Sequence, residues 1–261
     1  MKDGLLTDAY TSKLTDMAEL LESYKANDDG WKKKLQEQID SLKESLDAYD
    51  AAPLPAWDFS EAKAASVIAA DDVLRIRPML ASDARFYMNV RAQWSGVVER
   101  MLERPEFGED FFAKEILEDY SFFCMVERLD DFSPVGYVAL KDTRKPDWEL
   151  AVELDGESCG KGYGARAILL FLNALKELTG RSEYHARVAP DNLYSQKCMK
   201  KAGFELCGIS DGTVLKTDED KRRFEERNMD RIDENMRALA QELSIKPQTM
   251  LSHVLDYKII L

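Results

Sequence analysis

A chain of 261 residues, 45% hydrophobic and 33% charged, is long enough to bury a full core, in one large domain or in one domain with an appendage. Its net charge of −13 argues against nucleic acid or an anionic membrane as the main partner, because phosphate binding needs a basic surface. No apolar run approaches the roughly 18 to 20 residues that span a bilayer, and Met1, Lys2 and Asp3 lead into a polar helical pattern, so a cytoplasmic protein is expected. The four cysteines, Cys124, Cys159, Cys198 and Cys207, lack metal-type spacing; with only two histidines, His185 and His253, no metal site is expected.

Apolar residues at Leu6, Tyr10, Leu14, Met17, Leu21 and Tyr24 fall at three-and-four spacing and predict one helical face. A turn at Asn27 to Gly30 follows, and Trp31, Leu35, Ile39, Leu42, Leu46 and Tyr49 repeat the rhythm before Pro53 and Pro55. The pattern predicts an antiparallel helical hairpin over residues 1–70, its last part a connection rich in alanine. Eight Lys against fourteen Asp and Glu make its outer face acidic. Its apolar stripe would dock on the rest of the chain, form the seam of a homodimer, or meet another protein.

From Val73 the texture changes, and a domain over residues 71–261 is expected. A short strand around Leu74, Ile76 and Met79 precedes a helix from Ser82 to about Leu102. Strands at Ser121–Glu127 and Val135–Leu140 are joined through Asp130, Asp131 and Pro134 in the manner of a hairpin. A strand at Trp148–Leu154 runs into a glycine-bearing turn and a long helix with Ile168, Leu169, Leu172, Leu175 and Leu178 on its apolar side. A strand at Tyr184–Val188, a helix at Leu193–Ala202 and a strand at Phe204–Ile209 follow. This order predicts a mixed α/β sheet. A single charged helix from about Asp218 to Leu243, an insertion at about 216–244, is expected before a final strand that alternates at Val254, Tyr257, Ile259 and Leu261.

Three glycines fall within Cys159-Gly160-Lys161-Gly162-Tyr163-Gly164-Ala165, where a strand ends and a helix begins. A helix start exposes unpaired N–H groups and the positive end of the dipole, and glycine lets an anion come close. Alone, alternate glycines also mark an ordinary turn. No Gly-Lys-Ser/Thr ending follows, and the acidic residue of a dinucleotide fingerprint is missing, which leaves a diphosphate-bearing cofactor of another kind.

Here the chain resembles the GNAT superfamily, the Gcn5-related N-acetyltransferases, with their Gln/Arg-x-x-Gly-x-Gly/Ala signature. Gly162-Tyr163-Gly164 fill its glycine part, while Cys159 stands at the leading position. Asn192-Leu193-Tyr194-Ser195 followed by Lys201-Ala202-Gly203-Phe204 is similar to the family's Asn-x-x-Ser and Lys-x-Gly-Phe block. Leu74 to Pro78 with Asp83 is similar to its first strand and helix, particularly in the ribosomal-protein N-acetyltransferase branch. The resemblance covers about residues 72–210 and the last strand. It implies a mostly antiparallel sheet with a central splay, and direct attack of an amine on the thioester of acetyl-coenzyme A.

The resemblance also assigns roles. The backbone of Val152 and Leu154 would pair with the pantetheine arm, and the amides of Gly160 to Ala165 would hold the pyrophosphate. Lys161, Asn192, Ser195 and Lys201 complete the expected cofactor set. Many relatives carry a tyrosine, as acid for the departing thiolate, where this chain has Met199; Ser195 then becomes the expected acid. Glu149 and Glu153, four apart on one strand, are both candidates for the base. The acidic stretch Glu103, Glu106, Glu109 and Asp110 falls where relatives shape the acceptor pocket. Two readings follow: an N-acyltransferase acting on a primary amine of a small molecule or a protein N-terminus, or a non-catalytic acyl-coenzyme A sensor or interaction module on the same fold.

Overall fold

The computed structural model describes residues 55–261 apart from 96, 97, 100, 101, 103, 104, 213 and 216, together with Glu22, Lys32, Lys33, Leu35 and Gln36. The helical hairpin expected in the first fifty residues lies outside the described residues, as do the side chains of Glu103 and Glu106.

The central layer is a five-stranded antiparallel sheet in chain order. Its strands are β1 (Ala69–Ala70), β2 (Leu74–Pro78), β3 (Phe122–Arg128), β4 (Pro134–Leu140) and β5 (Leu150–Leu154). β3 and β4 are apolar almost without interruption because both faces of the sheet are covered. Phe122, Cys124 and Val126 face one core, and Phe123 and Met125 face the other. The second core is closed by α2 (Ala84–Trp94) and α3 (Pro105–Leu117), through Tyr87, Met88, Phe112 and Ile116. One helix was expected to about Leu102; among the described residues α2 ends at Trp94, where Ser95 turns extended, Val98 and Glu99 are helical again, and α3 starts at Pro105, a residue favoured in a first turn.

On the other face lies α4 (Tyr163–Thr179), whose Ile168, Phe171, Leu172 and Leu175 are fully buried. Leu178, expected on that side, is instead exposed. α1 (Ser60–Ala64) and β1 belong to the expected connection, yet they pack on this sheet: the Phe59 ring stacks on Phe122 with centroids 4.5 Å apart. The Arg77 guanidinium donates to both oxygens of Asp83 at 2.7 and 3.0 Å and to Glu127 at 2.9 Å, fixing the turn from β2 to α2.

The expected mixed α/β fold, mostly antiparallel, is present with its strands divided between two sheets that meet at a parallel bridge. β6 (Glu183–Val188), β7 (Glu205–Asp211) and β8 (His253–Ile260) form a second antiparallel sheet of order β6-β8-β7. Between β6 and β7 runs α5 (Leu193–Lys201). The terminal strand buries Leu255, Tyr257 and Ile259, so the expected alternation holds at 257 and 259 but not at Val254, which is half-buried. The single insertion helix is two: α6 (Asp218–Arg227) and α7 (Glu234–Glu242), followed by the short α8 (Thr249–Ser252). The break has a local cause, since Asp233 accepts from the Met236 amide at 2.7 Å and caps a new helix start.

Candidate functional site

The two sheets meet at one point. The His185 amide donates to the Trp148 carbonyl at 3.0 Å, in a parallel bridge between Glu149 and His185. Beyond it, β5 follows β4 to Leu154 and β6 follows β8 to Val188, so the strands diverge and open a wedge. The Lys141 amide donates to the Glu149 carbonyl, and the Asp155 amide to the Val135 carbonyl. The odd positions of β5 therefore pair with β4, and the even positions, Val152 and Leu154 among them, turn their backbone groups to the wedge. The Leu154 carbonyl already accepts from Trp94 Nε1 at 3.0 Å.

The glycine segment lies just past the end of β5. Gly160 and Gly162 have φ of +78° and +86°, a region that a side chain disfavours. Gly162 is the N-cap of α4 and has no side chain to cap it, which leaves the first amides, at Tyr163, Gly164 and Ala165, without a side-chain acceptor from the cap. α5 begins differently: Asn192 Oδ1 accepts from the Ser195 amide at 3.0 Å. A Cβ on Gly164 would stand 2.8 Å from Cys198 Sγ, so this glycine is what lets α4 and α5 approach. The same approach carries Lys201 to the α4 start, where its Nζ lies 3.5 Å from the point a Gly162 Cβ would occupy. Uncapped amides, a helix dipole and an ammonium converge there, an arrangement that suits a phosphate. Cys159 and Lys161 are exposed beside it. Burial raises the Cys159 thiol pKa and the Asp155 charge adds to this, which keeps the thiol neutral where the family signature places Gln or Arg.

Two residues outside the motifs hold this turn. Gln93 Nε2 donates to Asp155 Oδ1 at 2.7 Å, and its Oε1 accepts from the Gly156 amide at 2.7 Å. With Trp94, it ties the end of α2 to the end of β5. Nothing in their local sequence marks either residue.

The carboxylates separate clearly. The register of β4 and β5 has no bulge, so Glu149, Ala151 and Glu153 share a face. Glu149 is held by Lys141 Nζ through one oxygen and by Arg187 Nε at 2.8 Å through the other. Burial pushes its pKa up, but Lys141 and Arg187 outweigh that and hold it below the usual carboxylate range. Glu153 stands opposite Tyr137 across the strand pair. Burial pushes its carboxyl up, against the pull of Arg91, Tyr137 and Lys141. Its Oε2 is sealed from solvent and has no hydrogen-bond partner among the described residues. Glu109 of the acidic stretch pairs with Arg85 at 2.5 Å, and Asp110 is exposed.

Ser195, in the first turn of α5, is half-buried, and its hydroxyl makes no hydrogen bond to the described residues. Tyr194 next to it is 66% exposed, and Met199 is buried in the core.

A splayed pair of antiparallel sheets with an uncapped helix start at the mouth of the splay is the architecture of the GNAT acyltransferase class. The family model described as "Acetyltransferase (GNAT) domain" matches residues 73–205, just over half of the chain, and the chain belongs to this family. Among solved structures, the microcin C7 self-immunity acetyltransferase MccE in complex with acetyl-CoA and AMP is similar over 77% of this chain and 100% of its own, at 10% identity and a TM-score of 0.52. A chimeric spermidine N-acetyltransferase SpeG from Vibrio cholerae and hSSAT is similar over 72% of this chain and 95% of its own, at 16% identity and a TM-score of 0.50. No curated protein sequence matches the chain significantly.

Proposed function

We propose that this chain transfers an acetyl group from acetyl-coenzyme A to a primary amine of a small molecule or peptide. The observation that carries this reading is the convergence of the uncapped α4 start with the Lys201 ammonium, at the open end of a strand edge that still has backbone groups to offer. Phosphates fit the α4 start, and an amide-bearing arm fits the edge at Val152 and the Leu154 N–H. That MccE is solved with acetyl-CoA on a similar fold supports the choice of cofactor. Acetyl-coenzyme A would supply an activated thioester; the chain must orient an amine, take its proton and protect the reaction from water.

For the proton, Glu153 is the better base. A carboxylate clamped by two cations holds its proton weakly, whereas one raised by burial and left with a free oxygen accepts a proton nearer neutral pH. Glu149, with Lys141 and Arg187, then serves as a fixed ion-pair cluster on the same face. Ser195, with an uncommitted hydroxyl in the first turn of α5, is the candidate donor to the departing sulfur.

Thiol release from acetyl-coenzyme A, measured across a panel of polyamines, amino sugars and peptide N-termini, tests the reading. Acceptor-dependent release is expected for at least one class. Binding of acetyl-coenzyme A with no release for any amine would favour the sensor reading, and no binding at millimolar concentration would overturn both.

A further inference from the structure

A cluster of side chains away from the glycine turn lies where the two sheets join. Glu183 and His185 are two apart on β6, so both project from the outer face while Tyr184, Ala186 and Val188 are buried. Asp147 is brought to them by the backbone, because the Trp148 carbonyl accepts from the His185 amide. Trp148 itself is anchored: its ring is buried and its Nε1 donates to the Thr143 carbonyl at 3.1 Å. His185 Nε2 is the shared centre, 3.1 Å from Glu183 Oε1 and 3.6 Å from Asp147 Oδ1. Each residue offers one donor atom, and all three atoms lie within 4.8 Å of one another.

Those separations have a physical meaning. Ligand atoms about 2.1 Å from one ion stand about 3.0 to 3.5 Å apart, the edge of an octahedron or a tetrahedron. The two contacts of His185 Nε2 are close to that edge, and the third separation closes by moving Asp147, whose side chain is 71% exposed. The other oxygen of Glu183, Oε2, faces Lys258 Nζ at 3.8 Å, which leaves Oε1 turned toward the imidazole. One imidazole and two carboxylates form a borderline-to-hard donor set, suited to zinc or manganese.

We propose that Asp147, Glu183 and His185 form a site for a divalent transition-metal ion that fastens the two sheets at the root of the wedge. Asp147 lies on the β5 side and the other two ligands on β6, so the ion spans the parallel bridge between Glu149 and His185 that joins the sheets. The remaining coordination positions go to water, since the described residues supply three ligands.

The test uses the full chain and Mn²⁺, an ion that thiolates hold poorly. The sequence has two histidines, so two imidazole Cε1–H signals report separately. Substoichiometric Mn²⁺ is expected to broaden the His185 signal and spare that of His253, which also lies near a carboxylate, Asp211, at 3.4 Å, and so acts as the internal control. In parallel, Zn²⁺ should raise the melting temperature, and His185→Gln and the exposed-site change Asp147→Asn should each weaken Zn²⁺ binding at least about tenfold, since even outer-sphere changes cost that much. Equal broadening of both signals, or none, would overturn the proposal, as would unchanged Zn²⁺ affinity in both variants.

Discussion

Tyr137 and Glu153 are direct partners across β4 and β5, and the carboxylate that results has one oxygen sealed from solvent and without a hydrogen bond. Four residues earlier on the same face, Glu149 has both oxygens bound by cations. The two groups therefore titrate in opposite directions from the ordinary glutamate value of 4.5.

If Glu153 is the base, Glu153→Gln should lower kcat/KM by about 10² to 10⁴ fold, while Glu149→Gln should cost less than tenfold. The acidic limb of the wild-type kcat/KM profile should have its midpoint above 4.5, because activity is lost as protons fill a carboxylate whose pKa is raised. Stability moves the other way. Between 4.5 and the raised value the folded state binds more protons than the unfolded chain, so the Glu153 contribution falls as pH rises. Glu153→Gln should thus raise the melting temperature at pH 7 as it removes activity. Glu149 has a lowered pKa, so its contribution is present above 4.5 and is lost as pH falls through the folded value; Glu149→Gln should lower the melting temperature at pH 7. Thermal melts from pH 4 to 8 beside rate profiles check both signs.

The α4 start should hold the phosphates through backbone and charge together. Gly162→Val places a side chain at φ +86° and should cost about 1–2 kcal/mol in stability and abolish the melting-temperature shift with acetyl-coenzyme A. Lys201→Gln should fold normally and weaken binding about tenfold, an effect that shrinks at high salt because the lost interaction is ionic. Calorimetric titration at two salt concentrations measures it. Equal affinity in Lys201→Gln at low salt would remove Lys201 from the site.

Ser195→Ala should reduce turnover at saturating substrates by about 10²-fold with little change in cofactor affinity, if its hydroxyl protonates the departing sulfur. The N-cap bond of Asn192 uses only the Ser195 amide, so the substitution leaves it in place and the melting temperature should hold. Unchanged turnover would assign that proton to water.

Gly164 is the point of closest approach between α4 and α5. Gly164→Ala puts a methyl 2.8 Å from Cys198 Sγ and should destabilise by about 1–3 kcal/mol through overpacking. Adding Cys198→Ala removes the sulfur and should recover most of that loss. A double-mutant cycle in denaturant melts reads the coupling, and strict additivity would show that the helices do not meet there.

Much was legible in the chain because its causes are local. The order of strands and helices follows apolar periodicity, and the placement of Gly160, Gly162 and Gly164 between a strand and a helix marks the uncapped start of α4. Asn192 was expected in the cofactor set, and its capping of α5 through the Ser195 amide came only with the structure. Where the sequence misled, the deciding neighbour was distant or a polar residue was passed over. Phe59 looked like part of a connection until Phe122 provided its partner, and the run from Asp218 to Leu243 looked like one helix although Asp233 begins a second.

The roles within the site depend still more on contacts through space. From sequence, Glu149 and Glu153 are the same residue type on the same face of one strand, and nothing separates them. Lys141 arrives beside Glu149 by strand register and Arg187 by the junction of the two sheets, while Tyr137 and Arg91 reach Glu153 from β4 and α2. Lys201 reaches Gly162 because two helices whose starts, Tyr163 and Leu193, lie 30 residues apart in the chain pack at a glycine. Periodicity fixes which way a side chain points, but a proton affinity depends on burial and on charges brought within a few ångströms, and the tertiary structure alone decided those.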